Sequence, residues 1–209
     1  HVLIDGKPRD VSIINSDNLN EKKMLSCPGE DIKCGALVEW KNNFWIVVER
    51  DANDEVYTRT KLLQCNYLLK WVDNENIIRE QWCVIEDGTK YLTGSYEDRN
   101  FIVTRGDSRI SMIIAKNEHT AKFGRENRFL IDDPDTDDKT AYSLTKPLMV
   151  GKVYQDMGIY SFVLQEVVST QDDNFTLGIA DYDKHFPHED GSNEGTQPNE
   201  PDKGKKVWL

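Results

Sequence analysis

Apolar and polar side chains alternate along one stretch near the middle of the sequence. Every odd-numbered position from 63 to 71 is apolar, and polar residues stand at positions 64, 66 and 70. A repeat of two residues separates the side chains onto the two faces of a β-strand, whereas an amphipathic helix needs a repeat near 3.6. The stretch therefore predicts a single strand with one buried face.

Turn-forming residues separate this run from others of the same kind. Residues 73–76 are followed by β-branched and aromatic residues over 77–85, which predicts a β-hairpin over roughly residues 56–86. Upstream, residues 35–40 and 44–49 flank a Lys-Asn-Asn turn whose asparagines tolerate positive φ, so a second hairpin is expected there. Four strands are therefore expected to follow one another directly.

The second half of the chain repeats this pattern of strands and turns. Further strands are predicted over six segments, namely residues 100–105, 109–115, 128–131, 141–145, 151–154 and 159–168. One short helix is predicted over residues 116–123, with Asn117 as its N-cap. Short strands at regular spacing indicate an all-β fold, built from small β-barrel or sandwich subdomains with at most one short helix.

The chain is expected to contain two subdomains, because the first half can close as a small barrel without the second. A soft boundary near residues 88–94 divides an N-terminal β-barrel-like subdomain, residues 1–90, from a C-terminal β subdomain, residues 91–187. With 38% hydrophobic and 10% aromatic residues, the chain has enough apolar surface for a real core.

Residues 188–209 differ from the rest in composition. This acidic and polar tail has no apolar side chain before Val207, Trp208 and Leu209, so it cannot bury enough surface to fold alone. Two interpretations follow. The tail is either a loose, flexible terminus or an arm that orders against a neighbouring subunit through its last three residues.

Charge and hydropathy narrow the range of partners. The net charge of −11 is spread along the whole chain, with no basic segment of the kind that wraps nucleic acid. Apolar runs of four or five residues are too short to cross a bilayer, which takes about 20. We therefore expect no sequence-specific nucleic-acid partner and no membrane partner. No signal peptide is expected either, and the initial His1 suggests that the sequence begins inside a longer chain.

The four cysteines do not have the spacing of a metal site. Cys27, Cys34, Cys65 and Cys83 form no CxxC pair and have no histidine at zinc-finger spacing. Because Cys65 and Cys83 lie within alternating apolar runs, they are predicted to be reduced, buried thiols, which implies a reducing compartment.

One acidic loop partly matches a calcium-binding pattern. Asp133, Asp135 and Asp137 occupy positions 1, 3 and 5 of such a loop, after Asp132. The invariant Gly and the closing Glu are missing, since Asp138 and Leu144 occupy those positions. The loop is predicted to be a solvated connection between two strands.

No signature of catalysis is present. The chain lacks the GxSxG, HExxH, GxxxxGK[ST] and GxGxxG motifs, and only four histidines could serve a nucleophile. We predict that the protein is not an enzyme and has no catalytic, cofactor-binding or metal-binding residues. Five aromatic residues could instead line a carbohydrate or peptide groove, although strand positions favour core packing, and these are Trp40, Phe44, Trp45, Trp71 and Trp82.

Two stretches resemble structural proteins of tailed bacteriophages that infect Gram-positive hosts. The first is TKLLQCNYLLKW at residues 60–71, followed by Ile77-Ile78 and QWCV at 81–84. The second comprises NRFLID at 127–132, AYSLT at 141–145 and GIYSFVL at 158–164. The resemblance covers roughly residues 35–182. It departs from the family pattern at residues 132–139, where a short Gly-containing turn is expected.

The resemblance implies a virion protein of the head–tail connector, or neck (head-closure) region, with no active site. It implies a non-enzymatic ring-forming homo-oligomer around the DNA channel, whose neighbours are portal, connector, capsid or tail proteins. The expected location is the virion, after assembly in the host cytoplasm. The alternative is a capsid decoration protein or a receptor- or glycan-binding β-module.

Overall fold

The computed structural model describes residues 2–30, 32–51, 56–87, 109–125, 127–132, 139–148, 153–154 and 157–187. Strands account for 59% of these residues and form two nearly closed, barrel-like sheets, so the predicted all-β class is confirmed. The described part of the chain has one α-helix, α1 (Tyr182–His185), and one 3₁₀ turn, Thr120–Lys122.

Seven antiparallel strands make up the first sheet, here called the first barrel. They are β1 (Val2–Ile4), β2 (Lys7–Arg9), β3 (Val11–Asn15), β4 (Glu21–Ser26), β5 (Leu37–Trp40), β6 (Asn43–Arg50) and β7 (Thr58–Gln64), in the order β2-β1-β5-β6-β7-β4-β3. The two edge strands β2 and β3 are separated only by Asp10. Because β2 pairs with β1 and β3 pairs with β4, the chain at Asp10 brings the two ends of the sheet together.

The second sheet, here called the second barrel, is also antiparallel. Its strands are β8 (Tyr67–Val72), β9 (Ile78–Asp87), β10 (Arg109–Ala115), β11 (Arg128–Asp132), β12 (Lys139–Leu148), β13 (Val153–Tyr154) and β14 (Met157–Val167). The order is β11-β12-β14-β10-β9-β8, and β13 pairs with β14. The Tyr67 hydroxyl links the edges β8 and β11, since it donates to Leu130 O at 3.1 Å and accepts from Asp132 N at 3.2 Å.

The turn between β5 and β6 confirms the predicted hairpin. Lys41 and Asn42 have φ values of 51° and 59°, so both central residues of this two-residue turn are left-handed. Such a turn matches the twist of the paired strands, and asparagine tolerates this backbone region better than most residues.

The single strand predicted over residues 63–71 is wrong, because the chain changes sheet within it. β7 ends at Gln64 and β8 begins at Tyr67. Between them, Cys65 N donates to Phe44 O at 2.8 Å, while the Asn66 side chain bonds both the N–H and the carbonyl of Ile85 at 2.8 Å. The alternation continues across the break because each strand has its own buried face.

The hairpin predicted over residues 56–86 is correspondingly shorter. It consists of β8 and β9, whereas β7 pairs with β4 and β6 in the first barrel. The chain passes from one sheet to the other at residues 65–66.

The helix predicted over residues 116–123 is also wrong in extent, since only the 3₁₀ turn forms there. Asn117 nevertheless acts at its start, because its Oδ1 accepts from the N–H groups of His119 and Thr120 at 2.9 and 2.8 Å. Thr120 is fully buried and returns a hydrogen bond to Ala115 O at 2.9 Å. These local hydrogen bonds satisfy backbone N–H and carbonyl groups, so the segment ends after a single turn. The helix α1 lies in a different part of the chain.

The remaining predicted strands are confirmed, with unchanged ends for β10 and shifted ends for β11, β12, β13 and β14. The strand predicted over residues 100–105, the acidic loop at 133–138 and the tail at 188–209 lie outside the described residues.

Alternate residues of the central strands point to different cores. In β6, Trp45 and Val47 lie inside the first barrel, whereas Ile46 and Val48 point outward. In β9, Cys83 lies inside the second barrel, and its neighbour Val84 points outward to join Ile46 and Val48. The outer faces of the two barrels therefore pack together in a third apolar core, here called the seam.

Two backbones meet closely at the edge of the seam. Gly158 N donates to Cys34 O at 3.0 Å, and Gly158 O accepts from Lys116 N at 3.0 Å. Gly35 has φ +89°, and a Cβ atom there would overlap with the carbonyl oxygen of Gly158. Glycine at position 35 is thus required both by its backbone conformation and by the approach of the second barrel.

Candidate protein-binding site

After β14 the chain forms an irregular segment over residues 168–187, here called the strap, which contains α1. It lies on the outer face of β11. Phe129 and Ile131 point into the second barrel, while Leu130 points outward and is fully buried against Ala180 of the strap. The strap therefore covers one outer face of the second barrel.

A buried guanidinium attaches the strap to β11. Arg128 Nη1 donates to Asp173 Oδ1 at 2.9 Å and to Asp181 Oδ1 at 2.7 Å. Its Nη2 donates to Asp173 Oδ2 at 2.8 Å and to Val168 O at 3.1 Å. The side chain of Asp173 has no exposed surface, and that of Arg128 is 13% exposed. We call Arg128, Asp173 and Asp181 the Arg128 cluster.

Backbone groups complete the surroundings of Asp173. Its carboxylate also accepts from the N–H groups of Thr170 and Asp181 at 2.7 and 2.8 Å. Burial alone would raise the pKa of this carboxyl, but the hydrogen bonds from Arg128 and these two N–H groups hold the pKa below its ordinary value. Every oxygen of the buried carboxylate is satisfied, so the cluster fixes the strap backbone.

A second attachment joins the strap to the opposite edge of the second barrel. His185 Nδ1 lies 2.9 Å from Asn76 Oδ1 in the turn between β8 and β9. Since Arg128 belongs to β11, the strap bridges β11 and the β8–β9 hairpin. These are the elements at the two edges of the sheet, where the barrel is not closed by a backbone ladder.

The turn that anchors the β8–β9 hairpin is itself built on a buried carboxylate. Asp73 Oδ1 accepts from the N–H groups of Glu75 and Ile77 at 2.9 Å, and Oδ2 accepts from Arg79 Nε at 2.7 Å. Burial opposes ionisation of Asp73, but the Ile77 N–H, Arg79 and the Glu75 N–H outweigh it and lower the pKa to about 2. Asp73 therefore has a structural role.

Three apolar side chains of the strap face solvent, and we call them the strap patch. Val168 is 87% exposed, Phe175 43% and Leu177 41%. Their backbone is held in place despite this exposure. Asn174 Oδ1 accepts from Leu177 N at 2.9 Å, and Lys139 Nζ donates to Phe175 O at 2.6 Å. The patch thus presents exposed apolar groups on an ordered, hydrogen-bonded support.

The five aromatic residues considered at the sequence level do not form one groove. Trp45 and Trp71 are buried in separate barrels, and Trp40 packs beside Trp45 at 6.2 Å between ring centroids. Phe44 and Trp82 stack at 4.5 Å in the seam. The structure therefore supports core packing, the interpretation favoured from their strand positions.

The cysteines carry no reactive arrangement. All four are free thiols, Cys27 exposed and the others buried, as predicted for Cys65 and Cys83. Burial raises the pKa of Cys65 to about 12, and it also raises the pKa values of Cys83 and Cys34. Buried thiols of this kind are poor nucleophiles at neutral pH.

A cavity of about 380 Å³ beside the seam is lined by Cys34, Gln81 and Asn117. Its amides are committed to structure, since Asn117 Nδ2 donates to Gln81 Oε1 at 2.6 Å and Gln81 Nε2 donates to Ala115 O at 3.0 Å. Among the described residues there is no group of three metal-ligating side chains. None of the helices in that part of the chain has the length and apolar character needed to span a bilayer.

Sequence reasoning missed the strap as a candidate site. Its backbone is irregular, so no repeat of two or 3.6 residues marks it. The signal that existed was the pair of aspartates at 172 and 173 followed by Asn174, a composition typical of hydrogen-bonded turns. The arginine that completes the cluster lies 45 residues earlier than Asp173.

Residues 1–64 match the family model of the YomX N-terminal domain. The match ends with β7 and so spans the first barrel. Its name is associated with phages, and the match indicates a phage-encoded protein. It overlaps the phage resemblance found in the sequence over residues 35–64. No curated protein matches the chain. No solved structure matches it either.

Proposed function

We propose that this phage-encoded protein is a non-enzymatic structural protein of the virion, and that it assembles as a homo-oligomeric ring in the head–tail connector or neck. The observation that carries the proposal is the strap patch. Val168, Phe175 and Leu177 are exposed on a segment whose backbone is fixed by the Arg128 cluster.

A fixed apolar surface favours association. Ordering a loop on binding costs free energy, and a segment that is already held by buried hydrogen bonds avoids that cost. Single exposed apolar residues are common on any protein surface. Three of them on one short segment anchored by a buried ion cluster are a better candidate for a contact with another protein.

The charge of the chain suits a channel for DNA. The net charge of −11 disfavours binding of phosphate, and a ring that surrounds DNA must let it pass without retaining it. The polar groups of the strap support the non-enzymatic part of the proposal, because Asp173, Asp181 and Arg128 bond one another. The expected site of action is the virion, after assembly in the host cytoplasm.

Mass photometry of the full chain, with and without portal protein, tests the proposal. A ring of defined size that forms alone or on the portal is the expected result. The double variant Phe175→Ser, Leu177→Ser should lower the ring population, whereas Ile14→Ser should not. Ile14 is a matched control because it is 45% exposed and lies on β3 of the first barrel.

Two other results would contradict a connector role. A monomer or trimer that binds the capsid lattice would identify a decoration protein. Binding of a cell-wall glycan without self-association would identify a receptor-binding module.

A further inference from the structure

We propose that residues 203–209 of one copy dock on the strap patch of a neighbouring copy. The inference rests on the proposed function, because it specifies how one subunit of the ring would contact the next. It is carried by complementarity between the described surface of the strap and the sequence of this segment.

The segment combines positive charge with apolar bulk. Lys203, Lys205 and Lys206 come directly before Val207, Trp208 and Leu209 in a chain whose net charge is −11. No other stretch of the tail contains Val, Leu, Ile, Met, Phe, Tyr or Trp. Residues 203–209 are therefore complementary to a surface that combines apolar groups with negative charge.

The strap provides such a surface. Residues 168–187 contain four aspartates and one lysine, and two of these aspartates, Asp173 and Asp181, are paired with Arg128. The side chain of Asp172 is 42% exposed, and its carboxylate Oδ2 lies 3.9 Å from Lys184 Nζ, a distance at which its negative charge is only partly compensated. The exposed side chains of Phe175 and Leu177 lie in the same segment. An apolar anchor flanked by lysines would meet the apolar side chains of the strap together with the partly compensated carboxylate of Asp172.

The length of the chain permits the contact. Nineteen residues separate Pro187 from Val207. Extended backbone spans at most about 3.3–3.6 Å per residue, so this connection reaches up to roughly 65 Å. That reach exceeds several times the radius of gyration of a domain of this size, which is typically about 17 Å. A neighbouring copy is therefore within range.

One chain thus carries both halves of the contact, the strap patch and the segment that fits it. When two different surfaces of the same molecule are complementary, copies associate head to tail, and the assembly closes into a ring if the rotation between copies permits. Apolar burial supplies the affinity, and the lysine–aspartate attraction makes it dependent on salt.

Cysteine cross-linking of the full chain tests the inference. In a Cys27→Ser background, one tagged chain carries Thr176→Cys and a second, differently tagged chain carries Gly204→Cys. Thr176 is exposed between the two apolar residues of the turn, and position 204 leaves all three lysines in place. A short bismaleimide should join the two chains into a cross-linked dimer.

Two variants serve as controls. Adding Phe175→Ser and Leu177→Ser to the first chain should lower the yield more than about tenfold, because two apolar side chains no longer bury their surface. A chain with Ser12→Cys, at an exposed position of β3, should give only the background yield of random collisions.

Two results would overturn the inference. The first is no cross-link above the Ser12→Cys background. The second concerns a single chain that carries both Thr176→Cys and Gly204→Cys. If the cross-link forms within this chain and not between separate chains, residues 203–209 dock on their own strap. The proposed function fails separately, if the protein is absent from purified virions while the cross-link between chains still forms.

Discussion

Arg128 and Asp173 are joined by two parallel hydrogen bonds, Nη1 to Oδ1 at 2.9 Å and Nη2 to Oδ2 at 2.8 Å. The two residues belong to β11 and to the strap, and neither side chain is well exposed. This fork-to-fork geometry is specific to arginine, because a lysine ammonium cannot donate two parallel bonds to one carboxylate.

Replacing Arg128 with Met should therefore destabilise the protein strongly. The substitution leaves the fully buried carboxylate of Asp173 without its counter-charge, which costs about 3–5 kcal/mol. Urea unfolding measures the loss. Lys70→Met is the matched control, because it breaks the exposed pair Lys70–Glu80 and should cost less than about 1 kcal/mol. Equal unfolding midpoints for both variants would contradict a structural role for the Arg128 cluster.

Because of Asp73, the free energy of unfolding should depend on pH in the acidic range. Its pKa is lowered from 3.8 to about 2, so in the folded protein Asp73 keeps its charge to lower pH than in the unfolded chain. Its stabilising contribution is present above about pH 4 and is lost as the pH falls towards 2. The Asp73→Asn variant has no charge to lose at this position. The difference in free energy of unfolding between the variant and the wild type should therefore shrink as the pH falls through this range. Parallel stability curves from pH 5 to pH 2 would exclude this role.

Gly35→Ala should weaken the contact between the barrels. A Cβ at this position overlaps with the carbonyl oxygen of Gly158, and the backbone has φ +89°. The loss should reach about 2–4 kcal/mol, since strain of about 1–3 kcal/mol is joined by a steric clash. Gly29→Ala is the control that separates backbone strain from the steric clash. Gly29 has φ +85°, but a Cβ added there would meet only open space. Thermal unfolding of both variants gives the difference, and equal losses would argue against close contact at the seam.

Thiol labelling should separate Cys27 from the other cysteines. In the folded protein at neutral pH, iodoacetamide is expected to modify Cys27 rapidly and Cys34, Cys65 and Cys83 only after unfolding. Cys27 is exposed, whereas the other three are buried and have raised pKa values. Mass spectrometry of labelled peptides measures each rate. Fast labelling of Cys83 would mean that β9 opens readily.

The sequence was sufficient to predict those elements that local rules determine. Alternation identified β10 and β14, and the asparagines after Trp40 identified the turn with left-handed Lys41 and Asn42. It was not sufficient to locate the change of sheet at Cys65 and Asn66. Leu63 packs in the seam and Leu69 in the second barrel, but both are apolar and in phase, so the pattern shows no break.

The candidate site was harder to predict, because its parts are distant in sequence. Asp173 and Arg128 are 45 residues apart, and a bond between an arginine and a carboxylate leaves no local periodicity. Exposed apolar residues such as Phe175 also look like core residues when only their type is known. Their exposure became evident only with the backbone of the strap in place.

The place of the strap in the chain sets the order in which the molecule matures on the ribosome. All described strands of the first barrel have been synthesised once Gln64 has emerged. The second barrel is completed later, because Asp173 and Asp181 are synthesised after all of its described strands. Until then Arg128 lacks its counter-charges and Leu130 lacks its cover, so the nascent second barrel is the part most in need of protection from premature association.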